Sequence, residues 1–345
     1  GLNKYLFDMA NIRDQCSWVH RTDNDRATRK AMRLTRMAVA NVTQTVPLNE
    51  SEISIRSELL VIGGGLAGMT AAREAAAQGF PVVLVEQEQE LGGHLRNLRR
   101  TVDGQNAQAF LNELRNQVLA DPGIEVLTGA MVVGHSGYLG NYSTEVMTSA
   151  GTARTVEHGA VVVATGGQEA RPEIFGLGSE ENVLTQAELE QRIEDDPDSL
   201  KGTQSVVMIQ CAGSRDEERP YCSRVCCPQA IKNAIALKAL RPKVRVDVLY
   251  RDVRSYGLIE LKYMEARKLG VNFVRYDPET NPIDISFENG KAVAMVNDTS
   301  LQRRVRLDAD LLVLSVGADP ADTEELATQL KTPRNEAGFF IEAHA

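Results

Sequence analysis

Glu58-Leu59-Leu60-Val61-Ile62-Gly63-Gly64-Gly65-Leu66-Ala67-Gly68 is the stretch on which the fold turns. The unbroken apolar run Leu59–Ile62 is what a strand buried on both faces requires. Gly63, Gly65 and Gly68 then spell G-x-G-x-x-G. The first glycine permits a tight turn, the second lets backbone amides approach a pyrophosphate, and the third lets the next helix pack on the sheet. An alanine-rich helix from Ala67 to Gln78 places its positive end at those phosphates. Gly79 ends that helix, and Pro81-Val82-Val83-Leu84-Val85-Glu86 reads as the second strand. Glu86, eighteen residues past Gly68, sets a carboxylate where ribose hydroxyls would bind. A lone glycine motif is weak, with an ordinary structural turn as its alternative. Strand, helix and terminal acid together make it a dinucleotide site.

Outward from this unit, Leu91-Gly92-Gly93 follows the second strand, a helix is expected over 107–120, and strands near 124–127, 143–149 and 159–165. The last runs into Ala164-Thr165-Gly166. A second strand–helix–strand pattern follows: Ser205–Gln210, a helix opened by Pro228 and reaching Leu240, and Val244–Tyr250. A helix over about 257–269, a strand at 271–276, an antiparallel pair within 283–305 and a last buried strand at Asp310–Val316 complete it. The expected fold is α/β with two Rossmann-like domains. Residues 57–170 and 306–345 form the dinucleotide-binding domain, and 200–305 an inserted nucleotide-binding-like domain. Residues 1–56 read as the tail of an N-terminal domain plus a linking helix over 22–41, capped by Thr22 or Asp23.

Length and composition set bounds. The 345 residues suffice for two cores, and 43% hydrophobic with 25% charged residues is a globular balance. A net charge of −9 excludes nucleic acid as the expected partner, because phosphate neutralisation needs a basic face. The basic run within 26–36 reads as a solvated helix face. No apolar run approaches the roughly 20 residues that cross a bilayer. The chain opens at Gly1 and stops at Ala345 as a new segment starts, and is expected to be a piece of a larger polypeptide.

Four of the five cysteines, Cys211, Cys222, Cys226 and Cys227, fall in one window with spacing C-x10-C-x3-C-C. They stand after the second domain's first strand, where a phosphate-binding glycine loop would be, and no G-x-G-x-x-G can be written there. Clustered thiols without an export signal point to metal or redox chemistry in a reducing, cytoplasmic compartment. Soft thiolates favour an iron–sulfur cluster, which takes four of them. Structural zinc, thiol redox chemistry at Cys226-Cys227 and inert buried thiols are the alternatives.

The Gly92-Gly93 pair and Ala164-Thr165-Gly166 resemble flavoproteins of the thioredoxin-reductase type with two dinucleotide-binding domains. That resemblance selects FAD over NAD and implies cofactor contacts at Gly63, Gly65, Leu66, Ala67, Gly68, Glu86, Gln87, Gly92, Gly93, His94, Ala164, Thr165 and Gly166. The alternative for Gly92-Gly93 is an ordinary turn. Over essentially the whole chain, Met9–His20, Gln210–Asp216, Pro220–Cys227 and Tyr256-Gly257 resemble the A-type flavoprotein of heterodisulfide reductase. This resemblance implies an FAD and [4Fe-4S] electron-transfer component that bifurcates electron pairs, with the four cysteines as cluster ligands. It also implies Lys232 as a catalytic lysine approaching the isoalloxazine, the alternative being an exposed helix lysine. Partners implied are other heterodisulfide reductase subunits, a donating hydrogenase or formate dehydrogenase module, and ferredoxin, in a dimer of complexes without membrane insertion. Cys16 matches a cysteine of the family's N-terminal domain, a ligand of a second cluster or a buried thiol. No ferredoxin-type C-x2-C-x2-C-x3-C run is present, and the flavin-contacting segment expected after Phe339–Glu342 is not within these residues. Three other readings stay open: the related component of a quinone-interacting membrane complex, a pyridine-nucleotide–disulfide reductase using Cys226 or Cys227, and a non-enzymatic assembly scaffold that keeps the fold.

Overall fold

In the computed structural model the described residues are 2–341; Gly1 and residues 342–345, including Glu342, lie outside them. The chain divides into two compact units, Gly1–Ser54 and Ile55–Ala345. In the smaller, a π-helical turn at Arg13–Ser17 buries Cys16, and α1 (Asn24–Val42) follows with the Asp23 carboxylate accepting from the Arg26 amide. The α1 helix buries no residue, so its basic run is a solvated face as expected.

The larger unit opens with β1 (Leu59–Ile62), α2 (Leu66–Ala77), β2 (Val82–Val85), α3 (Ala107–Ala120) and β3 (Ile124–Leu127). A meander of β4 (Ala130–Tyr138), β5 (Asn141–Thr148) and β6 (Ala153–His158) leads to β7 (Ala160–Val163) and the short β8 (Gly167–Glu169). Then come β9 (Val183–Thr185), α4 (Gln186–Asp195), β10 (Ser205–Ile209), α5 (Cys226–Leu240), β11 (Arg245–Tyr250), α6 (Ile259–Lys268) and β12 (Asn272–Arg275). A second meander, β13 (Asp284–Glu288), β14 (Lys291–Asp298) and β15 (Arg303–Ala309), precedes β16 (Leu311–Leu314), β17 (Ala318–Pro320) and α7 (Glu324–Leu330).

Two lobes built alike result. In the first, parallel strands run β3-β2-β1-β7. One face buries Val61, Val82 and Leu84 against Met69 of α2 and Leu111 of α3; the other buries Leu60, Ile62 and Val85 against the first meander. In the second, parallel strands run β12-β11-β10-β16-β9. One face packs Val206 and Met208 on α4 to α6, the other Val207 and Ile209 under the second meander. Strands buried on both sides cannot alternate polar with apolar, which is why Leu59–Ile62, Val206–Ile209 and Leu311–Leu314 read as continuous apolar runs.

Four expectations are corrected here. Residues 306–317 belong to the second lobe, because β16 lies between β10 and β9 in its sheet. One Asp310 oxygen, accepting from the Gln204 and Ser205 amides, pins that register. The second lobe likewise begins with β9 and α4 near 183, not at 200. The antiparallel pair within 283–305 is a three-stranded sheet, and α5 starts at Cys226, two residues before Pro228.

Candidate functional site

At the carboxyl ends of β1, β2 and β7 the glycine loop turns with Gly63 at φ +109°. A Cβ on Gly63 would sit 2.3 Å from the Ala164 carbonyl oxygen, and one on Gly68 only 1.8 Å from that of Gly63. Both positions are closed to any side chain. A Cβ on Gly65 would instead meet nothing within 4 Å, which leaves open the side from which an anion would reach an α2 N-terminus that no side chain caps. Glu86 is buried; its Oε2 accepts from the Gly64 amide at 2.6 Å and its Oε1 from the Glu88 amide at 2.8 Å. Gly92 and Gly93 both have positive φ, and the Gly92 amide donates to the Gly64 carbonyl at 2.8 Å. The glycine pair is thus part of the loop's wall rather than a remote turn. Leu66, Ala67, Gln87, His94 and Gly166 are exposed around it, with Thr165 half-buried. Of the expected nucleotide contacts, the structure brings Gly63, Gly65, Gly68, Glu86, Gly92, Gly93 and Ala164 to one surface.

The second lobe carries sulfur at the equivalent place. Cys211 follows β10 in a left-handed conformation (φ +57°), as do Gly213 and Arg215, so the loop after the strand folds back on itself. Cys226 and Cys227 occupy the first turn of α5. All four thiols of the window line one small enclosed cavity together with Arg215, Asp252 and Arg254. All five cysteines are free thiols. Burial, then the neighbouring Cys211, Cys227 and Cys222, push the Cys226 thiol up to about 12. Cys211 and Cys227 are raised as well, first by burial, although hydrogen bonding from Arg215 opposes this at Cys211. A bound cation reverses that balance, since a coordinating thiol is deprotonated outright. Among the described residues, no group of three or more His, Cys, Asp or Glu is arranged to hold a single metal ion. The four thiols line one cavity with two guanidiniums at a helix N-terminus, the donor chemistry that an iron–sulfur group would take.

Lys232 is placed otherwise than the exposed alternative supposed. Its side chain is 10% exposed, with Nζ 2.7 Å from Glu190 Oε2 and donating to the Arg100 carbonyl at 2.8 Å. Glu190 carries no signal in the sequence, and nothing in the Glu-rich run 188–194 distinguishes it. Arg215 is visible inside the Cys211 motif but its role is not. It forms an ion pair with Asp252 and lies with Nη1 3.8 Å from Cys211 Sγ. Gln210, next to Cys211, is 1% exposed, and neither of its amide atoms has a hydrogen-bond partner.

Residues 57–209 match the family described as pyridine nucleotide-disulphide oxidoreductase. A thioredoxin reductase of T. acidophilum shares the fold, with TM-score 0.54 and 15% identity over 82% of this chain and 84% of that one. The second of the A-type iron-sulfur components of CoB–CoM heterodisulfide reductase in Methanopyrus kandleri is 31% identical over all of this chain and 66% of its own length. The corresponding A-type component of the H(2):CoB-CoM heterodisulfide,ferredoxin reductase of Methanothermobacter thermautotrophicus is 30% identical, again over all of this chain and 66% of the relative. The chain therefore spans just under two thirds of these relatives. The first alignment runs over 437 positions against 345 residues here, so that relative carries inserted stretches opposite this chain. A glycine loop walled by Glu86 and Gly92, on a fold shared with a thioredoxin reductase, agrees with full-chain similarity to these relatives: the chain belongs to the oxidoreductase family of the heterodisulfide reductase A-type subunits.

Proposed function

We propose that this chain is the FAD- and [4Fe-4S]-carrying electron-transfer part of a heterodisulfide reductase complex. In this reading it relays, and bifurcates, electrons between a donor module, ferredoxin and the disulfide-reducing subunits in the cytoplasm. The observation that carries the proposal is the convergence of Cys211, Cys222, Cys226 and Cys227 on one cavity, in a lobe joined to one that bears a flavin-type glycine loop. Relatives whose names contain both ferredoxin and heterodisulfide support the choice of partners. A hydrogenase or formate dehydrogenase module as donor, and assembly into a dimer of complexes, follow from the same family reading. Among the described residues no helix is long and apolar enough to cross a membrane.

In this assignment Gly63, Gly65, Leu66, Ala67 and Gly68 receive the FAD pyrophosphate through backbone amides, and Glu86 with Gln87 holds the ribose. Gly92, Gly93 and His94, with Ala164, Thr165 and Gly166, border the rest of the cofactor. The four cysteines hold the cluster. The bound groups supply one-electron chemistry. The chain's own residues set the electrostatics: Arg215, already beside Cys211, and Arg254 offset thiolate charge, and the first turn of α5 presents its amides to Cys226 and Cys227. Lys232 is assigned the flavin-side cation, its charge balanced by Glu190.

The test is anaerobic iron, sulfide and flavin determination with EPR of the reduced protein. About four iron and four acid-labile sulfide in this region are expected for a cubane. Cys222→Ser should abolish that share of iron while flavin content is retained. Zinc in place of iron, or iron content unchanged by the substitution, overturns the assignment.

A further inference from the structure

The glycine-loop lobe and the cysteine lobe are joined by two crossings of the chain, β8 outward and β17 on return, paired antiparallel through Glu169–Ala318, Gln168–Asp319 and Gly167–Pro320. A connection of two short strands is a hinge, and lobes so joined move relative to one another unless other contacts hold them. Two sets of contacts supplement that hinge: the Tyr221 ring of the cysteine loop meets Phe339 edge-on at 5.5 Å and Arg219 pairs with Asp319 at 2.9 Å, while a denser polar set closes on Glu190. The backbone amides of Arg99 and Arg100, in the first lobe, both donate to Glu190 Oε1 on α4 at 2.9 Å. The other Glu190 oxygen takes the Lys232 ammonium from α5 at 2.7 Å, and the same ammonium returns to the Arg100 carbonyl at 2.8 Å. Outside this closed ring, the Arg99 guanidinium grips Asp195 at 2.7 Å and Arg100 pairs with Glu194 at 2.6 Å.

We infer that this ring is a clasp holding the two lobes in one orientation, and that Glu190 is the positioning residue on which it closes. The first-lobe end is itself fixed. The Gln108 amide of α3 reaches the carbonyls of Leu95, Arg96 and Leu98, so the segment between Gly93 and Arg100 moves with its lobe. The second-lobe end is α5, the helix whose first turn carries Cys226 and Cys227. Glu190 and Lys232 are 4% and 10% exposed, so each keeps the other from being a lone buried charge, and both must be rehydrated together when the lobes part. The clasp therefore fixes the separation between the cysteine cavity and the glycine loop. For the proposed electron transfer, on which this purpose rests, a constant separation takes the place of a moving domain.

The test uses the full chain with its cofactors, carrying spin labels on genetically encoded keto amino acids at exposed Asn112 and Lys268, one in each lobe. Pulsed dipolar spectroscopy of the parent protein should give one narrow distance. Glu190→Gln combined with Lys232→Met removes the clasp without leaving a lone charge, and should give a second, longer population. Amide protection at Arg99 and Arg100 should fall by about tenfold or more, the scale of one hydrogen bond to a charged acceptor. A single unchanged distance in the double variant, with unchanged protection, overturns the clasp. Should the double variant fail to fold, Asp195→Asn, which strips only the outer pair with Arg99, still reports. It should broaden the distance distribution without adding a population, and an unchanged distribution counts against the clasp. A protein without iron but with the single distance would sink the cluster reading and leave the clasp standing.

Discussion

His158 is fully buried and stands between two partners that fix its proton. The Ala160 carbonyl can only accept, so Nδ1–H donates to it at 3.0 Å, and Nε2 accepts from the Thr144 hydroxyl at 2.8 Å. Thr144 in turn takes the Nδ1–H of His135 at 2.8 Å. Burial lowers the pKa of His158, with His135 adding to the effect and the Ala160 bond opposing it. A histidine whose folded pKa is depressed binds fewer protons than in the unfolded chain, so stability is present above the unfolded value near 6.5 and is lost as pH falls below it. Melting scans between about pH 7 and pH 5 should show a falling Tm, with a slope of at most about 1.4 kcal/mol per pH unit from this residue. His158→Gln should flatten that slope, and a slope unchanged by the substitution would refute the account. At the same scale Gly68→Ala should abolish flavin retention, since its methyl would lie 1.8 Å from the Gly63 oxygen; flavin absorbance of the purified variant measures it.

The helix α4 shows how an element delivers a residue. Thr185 and Glu188 form a reciprocal capping box that starts the helix at the end of β9 and so sets the phase at which Glu190 meets Lys232. Thr185→Ala should cost about 1 kcal/mol in denaturant unfolding, the usual worth of an N-cap. A loss well below that would mean the Glu188 half of the box suffices. α5 is legible in part: Pro228 and the apolar run to Leu240 announce a helix, yet its first turn reaches back to Cys226 and Cys227. Nothing in the local pattern places the two cysteines inside the helix. The helix begins directly after the folded-back loop, which ends at Arg224 with φ +62°.

At the scale of the molecule, two parallel sheets each carry helices on one face and an antiparallel meander on the other, and meet at β8 and β17. A Cβ on Gly167 would lie 2.5 Å from the Asp319 carbonyl oxygen, so the crossing strands touch backbone to backbone. Gly167→Val should destabilise the chain by about 1–3 kcal/mol, the range for forcing extra atoms into a packed contact, and should shift the distance between lobes in the same direction as opening the clasp. An unchanged melting temperature would show that the crossing is not tightly packed in solution. The lobe boundaries elude a linear reading for a reason seated here. Leu311–Leu314 is as apolar as any strand of either sheet, and only its pairing with Val206–Ile209 assigns it to the second.

Residue order alone specifies what depends on neighbours in the chain: the turn at Gly63–Gly68, the helix behind it, Glu86 at the end of the next strand and the grouping of four thiols. These follow from steric freedom at glycine, hydrophobic period and ligand chemistry, all short in range. Folding in three dimensions supplies what depends on residues far apart: β16 beside β10, one cavity for Cys211 through Cys227, and Lys232 turned onto Glu190, 42 positions away. The physical reason is that a parallel sheet and a buried ion pair are satisfied across space, where no local pattern records the partner.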